Sequence, residues 1–224
     1  MSVLYRRYIN RLPDIVLPSM ALVVLLPLMA MIAVCTRLTL AGPALFLQER
    51  PGLYGRPFRM IKFRSMVVGA EQMGAGYGME KDDPRITPVG RWLRATSFDE
   101  LPQLWNILIG DMSIVGPRPG LPYQAANYTQ EQARRLDVRP GITGWAQIHG
   151  RNEIPWSRRI QLDLWYVDSL SFGLDLSIVC KTILVVLSGS GFRQDQLASD
   201  VEDFGIESSQ ELSSKPDPRE YYEH

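Results

Sequence analysis

The sequence predicts a mostly helical α+β protein. A kinked, re-entrant membrane helix comes first, then a small globular domain with interfacial amphipathic helices and a short β-hairpin. Three observations carry this. Positions 15–35 hold no charged residue and are almost all large and apolar, with Pro27 in the middle. Turn chemistry, Gln48-Glu-Arg-Pro-Gly-Leu-Tyr-Gly55, separates two extended runs. Leu101, Leu104, Trp105 and Leu108 recur at helical spacing, between Pro102 and Gly110. The chain divides into a membrane segment (1–40), a globular domain (41–192) and a flexible acidic tail (193–224).

The apolar run is about 20 residues, enough to cross a bilayer as a straight helix. A signal peptide would end in a small-residue cleavage site, but Arg37 follows instead. Arg6, Arg7 and Arg11 precede the run, so both ends are basic and give a straight crossing no clear orientation. A helix that dips in, bends at Pro27 and returns to the same face satisfies both ends. Hydropathy alone favours the straight crossing. The re-entrant form keeps a site elsewhere in the chain beside the membrane.

Lys and Arg number 24, as do Asp and Glu, so the global charge names no partner and gives no reason to expect nucleic acid. Cys35 and Cys180 have apolar neighbours and read as small buried hydrophobes, not a disulfide or a metal site. His149 and His224 lack metal-ligand spacing, and a Ser-His-Asp hydrolase is not indicated.

Residues 57–66 alternate basic with apolar side chains: a half-buried strand offering Arg59, Lys62 and Arg64 to phosphate, or simply a solvated face. Glycines and acids at 67–88 predict a long, mobile loop. Residues 90–96 form a basic amphipathic turn, with Arg91 and Arg94 directed at lipid headgroups.

The centre of the chain is 97–119. Asp99 and Glu100 stand where a helix begins, at the positive end of its dipole. Arg118 lies between Pro117 and Pro119, on stiffened backbone. The plainer reading is a cap: Ser97 with Glu100 as a capping box, and Arg118 in a surface turn. A cap needs one acid, however. Two acids followed by a pre-aimed Arg suit a metal–phosphate site better.

Downstream, 129–136 reads as a polar helix. Glycines at 141, 144 and 150 give backbone room for a ligand, and Arg139 and Arg151 add positive charge, without GxGxxG or Walker spacing. Residues 156–166 form an amphipathic helix carrying Asp163. Residues 174–187 are apolar but interrupted by Asp175 and Lys181, and lie on the membrane surface or in the core.

Four strings then stand out in order: Lys62-Phe-Arg-Ser-Met66, Asp99-Glu-Leu-Pro-Gln-Leu-Trp-Asn106, Gly110-Asp-Met-Ser-Ile-Val-Gly-Pro-Arg-Pro119 and Arg139-Pro-Gly-Ile-Thr-Gly-Trp-Ala-Gln147. Together they resemble the bacterial sugar transferase family, the small monotopic phosphoglycosyl transferases. Gly150-Arg-Asn and Leu162-Asp-Leu-Trp-Tyr166 look most similar to the diacetylbacillosamine-phosphate transferases. The resemblance implies an enzyme on the cytoplasmic face of the bacterial inner membrane. It would move a sugar-1-phosphate from a UDP-sugar to undecaprenyl phosphate and release UMP, with Mg²⁺ as cofactor. It makes Asp99 the nucleophile, and Glu100 its partner at the magnesium site. Lys62 and Arg118 would bind nucleotide and phosphate, with Asp163 and Asp175 around that site. Membrane lipids are implied partners, and a homodimer is left open. Two positions depart from the family: Leu26 where Ser often precedes the kinking proline, and His149 where Asn is common.

Overall fold

The computed structural model describes residues 11–40, 42–73, 83–150 and 154–188. Helix α1 (Arg11–Thr39) is the apolar run lengthened at both ends, and it is continuous through Pro18 and Pro27. Among the described residues it is the one helix long and apolar enough to cross a membrane. Its most apolar 18-residue window has a mean hydropathy of 2.5 and is only 11% buried, so it is not a core helix. Both ends nonetheless rest on the globular domain. Ile32 packs with Phe63 and Leu93, flanked by Leu28, Met29, Ala33, Phe98 and Leu101. Val23, Val24 and Leu26 face outward. Cys35 and Cys180 are free and exposed, which corrects the buried reading. Their apolar neighbours belong to helix faces that no protein covers.

Strands β1 (Leu45–Pro51) and β2 (Pro57–Phe63) form the expected antiparallel hairpin, with Phe46 opposite Lys62. Strand alternation puts Phe58, Met60 and Lys62 on one face of β2, and Phe58 and Met60 pack against Ile107 and Met112. Arg59 falls on the other face, and Arg64 donates to the Pro43 carbonyl (2.8 Å). Of the three basic residues, only Lys62 follows the core face. In the glycine-rich stretch, Arg85 pairs with buried Asp83 and donates to the Ala70 and Met73 carbonyls (2.9 and 2.8 Å). The rest of that expected loop, 74–82, lies outside the described residues.

Helix α2 (Pro88–Ala95) starts at Thr87, whose hydroxyl accepts from the Gly90 N–H (3.0 Å). A turn over Phe98–Glu100 then leads into α3 (Gln103–Ile109), which ends at Gly110 with φ +98°. Ser97 has φ +58° and makes no side-chain cap bond, so the capping box does not form. Of the residues at helical spacing, Trp105 is exposed, while Gln103, Asn106 and Ile107 are the buried ones of α3. Asn106 is inside because its amide meets the open edge of β2. It accepts from the Ile61 N–H (3.0 Å) and donates to the Arg59 carbonyl (2.9 Å).

Strands β3 (Ser113–Val115) and β4 (Gly141–Thr143) pair in parallel. A Cβ on Gly141 would lie 2.1 Å from the Gly116 nitrogen, and one on Gly144 would lie 2.2 Å from the Gly116 oxygen. These two glycines give room to a neighbouring chain segment, not to a ligand, which corrects the sequence reading. Gly141→Ala is expected to lower stability by about 3 kcal/mol, read as a drop in the denaturation midpoint. An unchanged midpoint would contradict this packing.

Helices α4 (Pro122–Ala125), α5 (Gln130–Ala133), α6 (Trp156–Asp168) and α7 (Phe172–Ser188) complete the domain. Ile178 of α7 packs with Val115 and Tyr166, whereas Phe172, Leu176, Ile183 and Leu184 are exposed. Helix α7 thus packs on the core and also presents an apolar face. The expected acidic tail lies outside the described residues.

Candidate active site

The turn before α3 places Asp99 and Glu100 where four elements meet: the end of β2 with Lys62, α2 with Arg94, α3 itself, and the loop after β3 with Arg118. Glu100 takes the cations. Arg118 forms a two-pronged pair with it, Nη1 lying 3.2 Å from Oε2 and Nη2 on Oε1, and Lys62 Nζ is 3.6 Å from Oε1. Asp99, 9% exposed, makes no hydrogen bond or ion pair among the described residues. Burial, then the charge of Glu100, pushes the Asp99 carboxyl up to about 6, against the pull of Lys62, Arg94 and Arg118. Burial pushes the Lys62 ammonium down to about 8, although Glu100 favours its charge. Glu100 holds Arg118 above its ordinary value. The two acids therefore divide their work. Glu100 is neutralised, and Asp99 is desolvated and uncommitted, as an attacking carboxylate should be.

Arg94 does not face lipid headgroups. Its Nε donates to the Ser65 hydroxyl (2.8 Å), and Asp99 is the acid that acts on it most strongly. The reason is helical geometry. Arg94 is one turn on from Gly90, where a Cβ would meet the Ser65 carbonyl at 1.8 Å, so both share the inward face.

Behind Arg118 lies a buried support. Arg135 donates to the Arg118 carbonyl (3.0 Å), to Asp163 (2.5 Å) and to the Tyr128 hydroxyl (2.6 Å). The side chains of Arg135 and Asp163 are each 3% exposed. The Tyr128 and Trp156 rings flank the guanidinium at 5.4 and 5.5 Å. Arg50 on β1 reaches the Pro119 carbonyl (3.2 Å). Asp163 therefore acts on the site through Arg135 and the backbone of Arg118. Sequence reasoning missed Arg135, because an Arg in a short polar helix looks solvated.

The other candidates stand apart from the carboxylate pair. Asp175 accepts from the Tyr166 hydroxyl (2.7 Å), beside Val115. Arg139 donates to the Gly110 carbonyl (3.0 Å), at the opposite end of α3 from Asp99. Arg151 lies outside the described residues. Gln103, also missed, is buried one turn on from Asp99, and neither amide atom is hydrogen-bonded among the described residues.

No group of three or more His, Cys, Asp or Glu among the described residues is placed to hold a metal. The donor set is instead two adjacent carboxylates. That fits Mg²⁺, which is usually bound by one or two carboxylates with substrate phosphates completing its shell.

A family model described as "bacterial sugar transferase" matches residues 5–189. The chain belongs to the bacterial sugar transferase family. Among relatives, the "uncharacterized sugar transferase EpsL" of Bacillus subtilis is 51% identical over 70% of this chain and 77% of its own length. The undecaprenyl-phosphate galactose phosphotransferase of Salmonella typhimurium is 40% identical, over 83% of this chain and 42% of its own. The UDP-glucose:undecaprenyl-phosphate glucose-1-phosphate transferase of Escherichia coli is 42% identical, over 79% and 40%. This sugar transferase thus spans under half the length of those two larger relatives. Three of its four strings supply the carboxylates and cations of the site, and the fourth supports it through β4.

Proposed function

We propose that this chain transfers a sugar-1-phosphate from a UDP-sugar to undecaprenyl phosphate and releases UMP, at the cytoplasmic face of the bacterial inner membrane. The observation that carries this reading is Asp99, desolvated and unpaired among the described residues, beside the cation-bound Glu100. Names of the relatives support both substrates: they are transferases that pair a sugar phosphate with undecaprenyl phosphate.

In the first step an Asp99 carboxylate oxygen attacks the sugar-bearing phosphorus. The bond from that phosphorus to the bridging oxygen breaks, and UMP leaves with the electron pair. Arg118 and Lys62 stabilise the charge on the departing phosphate. In the second step an undecaprenyl phosphate oxygen attacks the same phosphorus and frees Asp99. Asp99 and Glu100 would hold Mg²⁺ together with the donor phosphates, and the bound ion would offset repulsion between a carboxylate and a diphosphate.

A polyprenol phosphate stays in the bilayer, so the nucleophile must lie at membrane depth. Phe98 and Leu101, on either side of the acid pair, pack on the buried cluster of Ile32, Phe63 and Leu93, on which Leu28, Met29 and Ala33 of α1 also pack. The first turn of α1 also rests on the domain, through Arg11 and Asp14. A helix with both ends on one domain supports re-entry rather than crossing.

Turnover on this scheme needs Asp99 ionised and Lys62 protonated. The kcat/KM profile should rise as pH passes about 6 and fall as it passes about 8. Lys62→Arg should remove the alkaline limb, because guanidinium stays charged. A flat profile across both values would contradict these roles.

Purified protein with Mg²⁺, undecaprenyl phosphate and a panel of UDP-sugars tests the function. UMP release sustained by the lipid phosphate supports it, and the best donor identifies the sugar. Release of UDP would mean that the phosphate stays with the nucleotide, and would overturn it.

A further inference from the structure

The first turn of α1 carries two charged side chains that the reaction above does not use. Arg11 donates from Nη1 to the Ile107 carbonyl (2.6 Å) and from Nη2 to the Leu108 carbonyl (2.5 Å). It thereby closes the C-terminal turn of α3, where the Ile107 carbonyl also accepts from the Gly110 N–H (3.1 Å). Asp14, 1% exposed, accepts from the Ile114 N–H (2.8 Å) and the Ser113 hydroxyl (3.1 Å), both on β3. One helical turn therefore holds two separate segments. The far end of the first supplies Asp99 and Glu100. The second runs on through Gly116 into Arg118.

Packing alone would need neither charge. Burying a carboxylate is costly, and an apolar residue would fill the space at less cost. Here Arg11 holds two backbone carbonyls of α3 and Asp14 holds a backbone N–H and a hydroxyl of β3, and those segments meet again at the Glu100–Arg118 pair. The connections from grip to site are short and constrained. A single helix and the Phe98–Glu100 turn separate Arg11 from the acids. From β3, the chain passes a glycine pressed against the Arg139 carbonyl (2.3 Å to a built Cβ) and then Pro117.

We propose that Arg11 and Asp14 are positioning residues for the reaction. Seating of the first turn of α1 sets α3 against β3, and so aligns Arg118 with Glu100 and Asp99. The site is then complete only when the membrane helix is docked. This inference rests on the proposed reading that Arg118 binds the diphosphate of the donor.

The test is a double-mutant cycle on UDP binding, using the full chain in lipid nanodiscs with Mg²⁺. Its four members are the native protein, Asp14→Ala, Arg118→Ala and the double variant. Arg118→Ala alone should weaken UDP binding by about 10- to 100-fold. If it does not, the reading of Arg118 fails, whatever the cycle shows. Given that loss, Asp14→Ala should weaken binding comparably, and the double variant should bind no worse than Arg118→Ala. Asp14→Asn, which keeps an oxygen for the Ile114 N–H, should restore most of the affinity. Losses that multiply, or native UDP affinity in Asp14→Ala, would overturn the proposal. If Asp14→Ala does not fold, Arg11→Ala takes its place in the cycle, with the same two outcomes.

Discussion

Asp99→Asn abolishes turnover, by about 10⁴-fold or more, while the protein stays folded. An amide of the same shape occupies the same space, so packing of the turn is retained. What disappears is the attacking oxygen. Asp99 makes no hydrogen bond or ion pair among the described residues, so its replacement orphans no buried partner. Removing a charge from a buried site that already holds Glu100 should if anything favour the fold, since burial and that neighbour both raise the Asp99 carboxyl. Loss of activity with an equal or higher melting temperature is the expected pairing. Full activity in Asp99→Asn would end the covalent scheme. Glu100→Gln behaves differently, because it strips both Lys62 and Arg118 of their counter-charge.

Asp163→Ala unfolds the protein more readily, at a cost of roughly 3–5 kcal/mol. Asp163 and Arg135 each have only 3% of the side chain exposed, so removing the acid leaves a buried, unpaired guanidinium. That group also holds the Arg118 carbonyl and the Tyr128 hydroxyl. Activity should fall even at temperatures where the variant is folded, because Arg118 loses its support. Replacing both partners, as Asp163→Leu with Arg135→Met, separates the two effects. Stability should recover toward the native value, while activity should not. Denaturant melts followed by tryptophan fluorescence read the first quantity, and UMP release reads the second. A loss below about 1 kcal/mol for Asp163→Ala would show that the pair is solvated.

Local chemistry explains what the sequence disclosed. The hairpin was legible from its turn residues, and the end of α3 from Gly110, which takes a positive φ. Asp99, Glu100 and Arg118 were legible as paired acids and a stiffened cation, Lys62 only through the resemblance to the family, and the structure brings all four together. The misses share one cause: they depend on what approaches from elsewhere in the chain. Gly141 and Gly144 looked like ligand space, but a second strand fills it. Arg94 looked outward until Gly90 was found pressed on Ser65. Arg135 showed nothing in its own segment to mark it as the support of Arg118. Cys35 and Cys180 read as buried because apolar neighbours usually mean a protein core. In this chain large apolar faces remain uncovered, on α1 and α7 above all.

The most direct measurement is UMP formed in the first turnover with no lipid acceptor present. Rapid quench of enzyme with Mg²⁺ and excess UDP-sugar should give close to one UMP per active site. The enzyme should gain the mass of a phosphosugar on the peptide containing Asp99, and neither signal should appear in Asp99→Asn. Absence of any UMP until undecaprenyl phosphate is added, from protein that then turns over rapidly, would contradict an aspartyl intermediate. Transfer would then run directly from donor to acceptor.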